Sequence, residues 1–138
     1  YWRQILKDYA PVRVYIENMF DRIPDCLAQL AERMKDEPGF GVCLDYAHAY
    51  VFGDEPERFC RVLKPYIRHM HINDNDLLRD MHWPVGAGKI DWDKFGAFAK
   101  ELPEDVTTLI EVSSLEDFVS SAEALRDIGI RRADGKKE

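Results

Sequence analysis

With three cysteines in 138 residues and no C-x-x-C pair, this sequence has neither a disulfide framework nor a thiolate zinc centre to offer. Cys26, Cys43 and Cys60 lie among apolar neighbours and are expected to be reduced, packed thiols. No apolar stretch approaches the roughly 18 residues of a membrane helix, and no charged segment leads into a signal-like core at the start. The expectation is a cytoplasmic protein that does not enter membranes. Basic charge is also short. Nineteen Lys and Arg face 26 Asp and Glu, a formal net charge of −7, which opposes the phosphate contacts of nucleic-acid binding and makes nucleic acid a disfavoured partner. What is present is enough apolar and aromatic content for one hydrophobic core, with 12% aromatic residues.

Trp2, Ile5, Leu6 and Tyr9 fall at helical spacing before Pro11, so residues 1–10 read as the end of a helix. A helix tail at Tyr1, in place of an initiating Met, implies a processed terminus or an upstream part. The β-branched and aromatic run at 12–18 predicts a strand that emerges into polar Glu17 and Asn18. Cys26, Leu27, Leu30, Ala31 and Met34 form one helical face, closed by Pro38 and Gly39. Residues 40–44 are too short for a helix and almost wholly apolar, as in a strand buried on both faces. Asp54 with Glu57 resembles a capping box for a helix whose inner face is Phe59, Val62, Leu63 and Tyr66. A third strand at 67–72 leads into a long polar loop at 73–88, of a length that is usually functional. Asp91 caps a helix with Trp92, Phe95, Phe98, Ala99 and Leu102 inside. A fourth strand at 106–112 then carries Glu111. Ser114 and Asp117 open the last helix, with Phe118, Ala122, Leu125 and Ile128 inside and Gly129 as its stop.

Four strands thus alternate with helices and no hairpin signal intervenes, which predicts an α/β fold with parallel strands and right-handed crossovers. A (β/α)8 barrel takes about 250 residues, so residues 1–130 amount to half of one, followed by a polar tail at 131–138. A small doubly wound sheet is the alternative, but the glycine-rich phosphate turn expected after its first strand is missing.

In parallel α/β folds ligands bind at the carboxyl ends of the strands. Each predicted strand ends in a candidate metal ligand: Glu17, Asp45 with His48 a turn later, His71, and Glu111. An acid at a strand exit is by itself an ordinary cap or loop residue; three of them, with His48, His71 and His82 on the same face, form a pattern. His69 shares the side of His71 one layer deeper and reads as a hydrogen-bonded core histidine. Asp80 and His82 could equally be an Asx-type turn beside an exposed imidazole, and Gly86 and Gly88 simple turn residues.

The segments YIEN at 15–18, CLDYAHA at 43–49, HMHINDN at 69–75, DMHWPVGAGKIDW at 80–92 and LIEV at 109–112 together resemble the C-terminal half of the xylose-isomerase-like superfamily of TIM barrels. That group includes sugar phosphate isomerases and epimerases and the endonuclease IV family. The resemblance implies that Glu17, Asp45, His71 and Glu111 hold a divalent metal (Mn²⁺, Mg²⁺, Co²⁺ or Zn²⁺), with His48 near substrate or a second metal. In the endonuclease branch, Asp80 and His82 would bind another zinc. In ketohexose epimerases the position of His82 is commonly an arginine, so this chain departs from that subgroup.

Three functional expectations follow. The first is a sugar or sugar phosphate isomerase or epimerase, in which Glu17 and Glu111 act as base and acid on an enediolate while His48 orients a hydroxyl. The second is a zinc phosphodiesterase of the endonuclease IV type acting on DNA. The third is a non-catalytic half-barrel, which exposes open strand edges and pairs with a second copy or with a missing N-terminal half.

Overall fold

The computed structural model describes residues 1–130; the expected tail at 131–138 lies outside the described residues. Four strands, β1 (Val14–Glu17), β2 (Phe40–Asp45), β3 (Ile67–Ile72) and β4 (Thr107–Ile110), form one sheet. They lie in chain order, and every neighbouring pair is parallel. The helices are α1 (Trp2–Asp8), α2 (Asp25–Arg33), α3 (Tyr46–Val51), α4 (Pro56–Leu63), α5 (Trp92–Ala99) and α6 (Leu115–Asp127). This is the strand–helix alternation of half a (β/α)8 barrel.

The core lies where helices cover the sheet. Val42 and Leu44 of β2, with Ile67, Met70 and Ile72 of β3, pack against Leu27, Ala31, Phe59, Leu63 and Phe95 from three helices. β2 is buried along its whole length, as a central parallel strand must be. Register fixes the opposite face. Asp45 pairs with His71 across β2 and β3, and His71 with Leu109 across β3 and β4. Because strand side chains alternate, the residues that line the inside of the half-barrel end together at one rim.

Three local expectations are corrected, and one element is added. Residues 46–51, to which the sequence reading assigned no element, form the short helix α3, because Asp45 ends β2 and also caps the helix: its Oδ1 accepts the His48 amide at 2.7 Å. Glu55, with Pro56 after it, starts α4 in place of Asp54, which is paired with Arg22 at 2.7 Å. Cys26 is exposed, since the buried face of α2 is formed by Leu27 and Ala31. Phe118 is 45% exposed: α6 packs beside β4, an edge strand, and its buried residues are Ser121 and Leu125. The Asp91 and Ser114 caps form as expected, on the Lys94 and Asp117 amides.

Candidate metal centre

The strand-end residues converge at the rim. Nδ1 of His71 lies 3.2 Å from Glu17 Oε1 and 3.5 Å from Glu111 Oε2. His71 therefore stands between carboxylates brought by the two edge strands. Nδ1 of His48 lies 3.5 Å from the same oxygen of Glu17 and 3.6 Å from Asp45 Oδ2. Ligand atoms of Glu17, Asp45 and His48 come within 4.8 Å of one another, as do those of Asp45, His71 and Glu111. Asp45 belongs to both groups.

Asp45 itself is inaccessible to solvent. Its main chain is held by Asn18, whose side chain accepts the Asp45 N–H and donates to the Asp45 carbonyl, both at 2.9 Å. Its Oδ1 caps α3, whereas its Oδ2 is buried without a hydrogen-bond partner. A buried carboxylate oxygen left unpaired is costly unless something charged completes it. Burial pushes the Asp45 carboxyl up to about 6, even though His48 pulls the other way.

Asp80 and His82 join this cluster. Oδ2 of Asp80 lies 3.2 Å from Nε2 of His48 and 3.0 Å from Nε2 of His82. Nδ1 of His48 meets the Asn18 carbonyl at 3.0 Å, and Nδ1 of His82 meets the Glu111 carbonyl at 3.1 Å. A carbonyl only accepts, so both rings keep their Nδ1 proton on the backbone and turn Nε2 toward Asp80. Burial alone would lower both imidazoles; the adjacent carboxylates, Asp45 and Asp80 for His48 and Asp80 first for His82, raise both. The other oxygen of Asp80 is, like Asp45 Oδ2, buried and unpartnered.

These donors fit a divalent ion. Mixed carboxylate and imidazole ligands, open to a rim and including two unsatisfied buried oxygens, are of the kind that Zn²⁺, Mn²⁺ and Co²⁺ accept. All seven residues singled out from the sequence, Glu17, Asp45, His48, His71, Asp80, His82 and Glu111, lie in this one cluster.

His69 stays outside it. Its Nδ1 is 2.6 Å from the Thr107 hydroxyl and its ring stacks on Tyr15, while burial and then the neighbouring His71 lower its pKa. Cys43, His69 and His71 form a softer potential donor group one layer below, but burial and the charges of Glu17 and Asp45 push the Cys43 thiol far up. It is a packed thiol, as expected.

Sequence reasoning missed Asn18, Asn73, Asp74 and Asn75, all of them wholly or almost wholly buried. The signal was there in part: YIEN places Asn18 directly after Glu17, and HINDN places Asn73, Asp74 and Asn75 directly after the end of β3.

Residues 2–128 match the model of a family described as xylose isomerase-like TIM barrel. An uncharacterized protein of Methanocaldococcus jannaschii is 28% identical over 133 residues, covering 90% of this chain and 44% of that protein. A probable endonuclease 4 of Protochlamydia amoebophila is 36% identical over 90 residues, 54% of this chain and 32% of the relative. Among solved structures, a D-tagatose 3-epimerase-like protein superposes with a TM-score of 0.77 at 28% identity, over 91% of this chain and 49% of that one. A Thermus thermophilus protein soaked with zinc chloride gives 0.69 at 28% identity, over 91% and 47%. The chain spans half or less of the length of each of these proteins. On the family match and the shared fold, it belongs to the xylose isomerase-like TIM barrel family.

Proposed function

We propose that this chain contributes most of the catalytic rim of a metal-dependent isomerase or epimerase acting on a small sugar or sugar phosphate. One observation carries the reading: Glu17 and Glu111, from opposite edges of the sheet, approach the same His71 nitrogen at 3.2 and 3.5 Å. Two carboxylates on either side of one centre can take a proton from one face of a substrate carbon and return it at the other face or at the next carbon. A divalent ion held by Glu17, Asp45, His71 and Glu111 supplies Lewis-acid polarisation of the substrate carbonyl when bound. His48, fixed by the Asn18 carbonyl and Asp80, orients a substrate hydroxyl. The likeness to a D-tagatose 3-epimerase-like structure over 91% of the chain supports this reading, as does the acidic net charge, which suits a small ligand better than a polyanion.

The test is exchange of the substrate C–H proton with solvent deuterium, measured by NMR across a panel of ketoses and their phosphates with the full-length protein. Glu17→Gln and Glu111→Gln are expected to abolish that exchange while the protein stays folded. Exchange that persists in both variants removes the assignment.

A second reading, a zinc phosphodiesterase, is favoured by the placement of Asp80 between His48 and His82. That arrangement gives a second group of donors beside the first, as a multi-metal hydrolase needs. The relative named as a probable endonuclease 4 supports it. Cleavage of an abasic duplex with stoichiometric zinc, and no proton exchange on any sugar, decides for this alternative.

A further inference from the structure

Asp74 is completely buried, two residues past β3, and no role given above to the metal centre uses it. Its carboxylate accepts four N–H groups. Oδ1 takes the amides of Asn75 at 2.8 Å and Ile90 at 3.1 Å; Oδ2 takes the amide of Gly86 at 2.9 Å and the indole N–H of Trp92 at 2.8 Å. The Asp74 main chain also pairs in both directions with Trp83, at 2.8 and 2.9 Å. One side chain and its backbone thus hold the 75–92 segment at five places. Hydrogen bonds to a charged acceptor are among the stronger ones in proteins, and here four share a single carboxylate away from water.

This arrangement accounts for the part of the G-x-G-K-I-D-W sequence that the metal centre leaves unexplained. Gly86 supplies an N–H from a positive φ of 88°. Gly88 passes so close that a Cβ there would collide with the Asp74 carboxylate and the Asn75 carbonyl. Trp92 contributes its indole N–H. The segment that Asp74 and Trp83 clamp shut ends in Asp80 and His82, and His82 has φ of 52°. A left-handed backbone at a residue other than glycine persists only where its surroundings fix it.

We propose that Asp74 is a positioning residue, whose buried carboxylate fixes the 75–92 loop so that Asp80 and His82 reach His48 and the Glu111 carbonyl. The functional importance of that placement rests on the reading of Asp80 and His82 as part of the active rim; the placement itself does not.

The test is Asp74→Asn in the full chain labelled with ¹⁵N-histidine, kept free of metal. Asparagine offers one acceptor oxygen and turns an NH₂ toward two donors that the carboxylate had satisfied. The ring nitrogens of His82 are expected to lose the signature of bonding on both sides, while those of His69 and His71 remain as in the wild type. Amide protection at Gly86 and Ile90 should fall by about tenfold or more, in keeping with the loss of charge-assisted bonds. Ile67→Val, a core change remote from the loop, serves as a control that lowers stability without moving His82. If Asp74→Asn does not fold, Trp92→Phe removes one of the four donors and is expected to shift the same His82 signals by less. Unchanged His82 signals in the folded variant, or an equal shift in Ile67→Val, overturn the proposal. A wild-type chain that takes up no zinc defeats the proposed metal function instead, because the ring signals are read without metal.

Discussion

Nδ1 of His71 lies 3.2 Å from Oε1 of Glu17, a residue 54 positions earlier in the chain. No local interaction produces that contact. It follows from the pairing of β1 with β2 and of β2 with β3, which sets His71 beside Asp45 and carries Glu17 to the same rim. The sheet register is therefore what assembles the donor group, and the chemistry proposed for it depends on three strands keeping that register.

Metal-free stability should fall as pH rises. Burial holds the Asp45 carboxyl at about 6 against an ordinary 3.8, and His48 is raised above 6.5. For both groups the folded state binds protons more tightly than the unfolded state, so their stabilisation is complete below the unfolded pKa values and is lost as pH climbs through the folded ones. The loss begins near pH 4 with Asp45 and ends above 6.5 with His48. Asp45→Asn is expected to stabilise the metal-free chain at pH 8 by about 1–3 kcal/mol, because it removes a buried charge and keeps an oxygen for the α3 cap. Urea unfolding in chelator at pH 5 and pH 8 measures this; an Asp45→Asn chain no more stable than wild type at pH 8 contradicts it.

Protons on the ligands must leave when an ion binds, that of Asp45 among them. Zinc affinity is expected to rise about tenfold or more between pH 5.5 and 7.5, with net proton release. Calorimetry in two buffers of different ionisation enthalpy reads the number of protons directly. Equal heats in both buffers rule the coupling out.

The larger elements were legible because their signals are local. β3 occupies the predicted residues 67–72, and the caps at Asp91 and Ser114 were visible as an acceptor before an apolar period. Glu17, Asp45, His71 and Glu111 were legible because parallel strands deliver their last residues to one end, with His48 a turn beyond; Asp80 and His82 were legible as ligands only through the resemblance of their loop to the endonuclease branch. What escaped was set by tertiary contact. α3 has six residues, too few to show a period, and its cap, Asp45, is held by Asn18 just beyond β1, a contact between distant parts of the chain. Asp74 looked like one more polar loop residue; its role depends on donors 12 to 18 positions away. Phe118 has the right helical phase to be buried, but it lies on the helix beside an edge strand.

Asp80→Asn separates the two catalytic readings. The change keeps the size of the side chain but removes the anion that lies between His48 and His82. Under the isomerase reading Asp80 only steadies His48, so sugar C–H exchange should drop about tenfold, the scale of losing an orienting partner. Under the phosphodiesterase reading it is a ligand, and cleavage should fall beyond the roughly 100-fold upper end seen for partners one shell further out. Parallel assays on one preparation give the ratio. A variant with full activity in both assays removes Asp80 from the site.

Two helical leucines stand at opposite extremes of burial. Leu63 of α4 is fully buried and Leu115 of α6 is 79% exposed. Leu63→Ala should cost about 2–5 kcal/mol through lost transfer energy and the cavity left behind, and Leu115→Ala within about 0.5 kcal/mol of nothing. Paired denaturant curves check both values. A large loss at Leu115 would show that another surface covers that end of α6 in solution.

Open edges are the remaining consequence of the fold. Among the described residues β1 and β4 each pair on one side only, and an unpaired parallel edge is a template for another strand. Leu109 adds apolar area to this risk: it is 46% exposed and lies two residues from Glu111, on the face that carries the donor group. The 138-residue chain alone is therefore expected to self-associate, by pairing with a second copy or by aggregation, in a concentration-dependent way visible in light scattering. Leu109→Lys places a charge on the exposed inner face, which opposes stacking of two apolar surfaces, and should shift the chain toward monomer. Supplying the strands of a complete barrel should have the same effect by covering the edges. A wild-type chain that stays monomeric at high concentration and binds no hydrophobic dye contradicts this expectation, and would mean that edge strands as short as β1 and β4, four residues each, are too brief to recruit a partner.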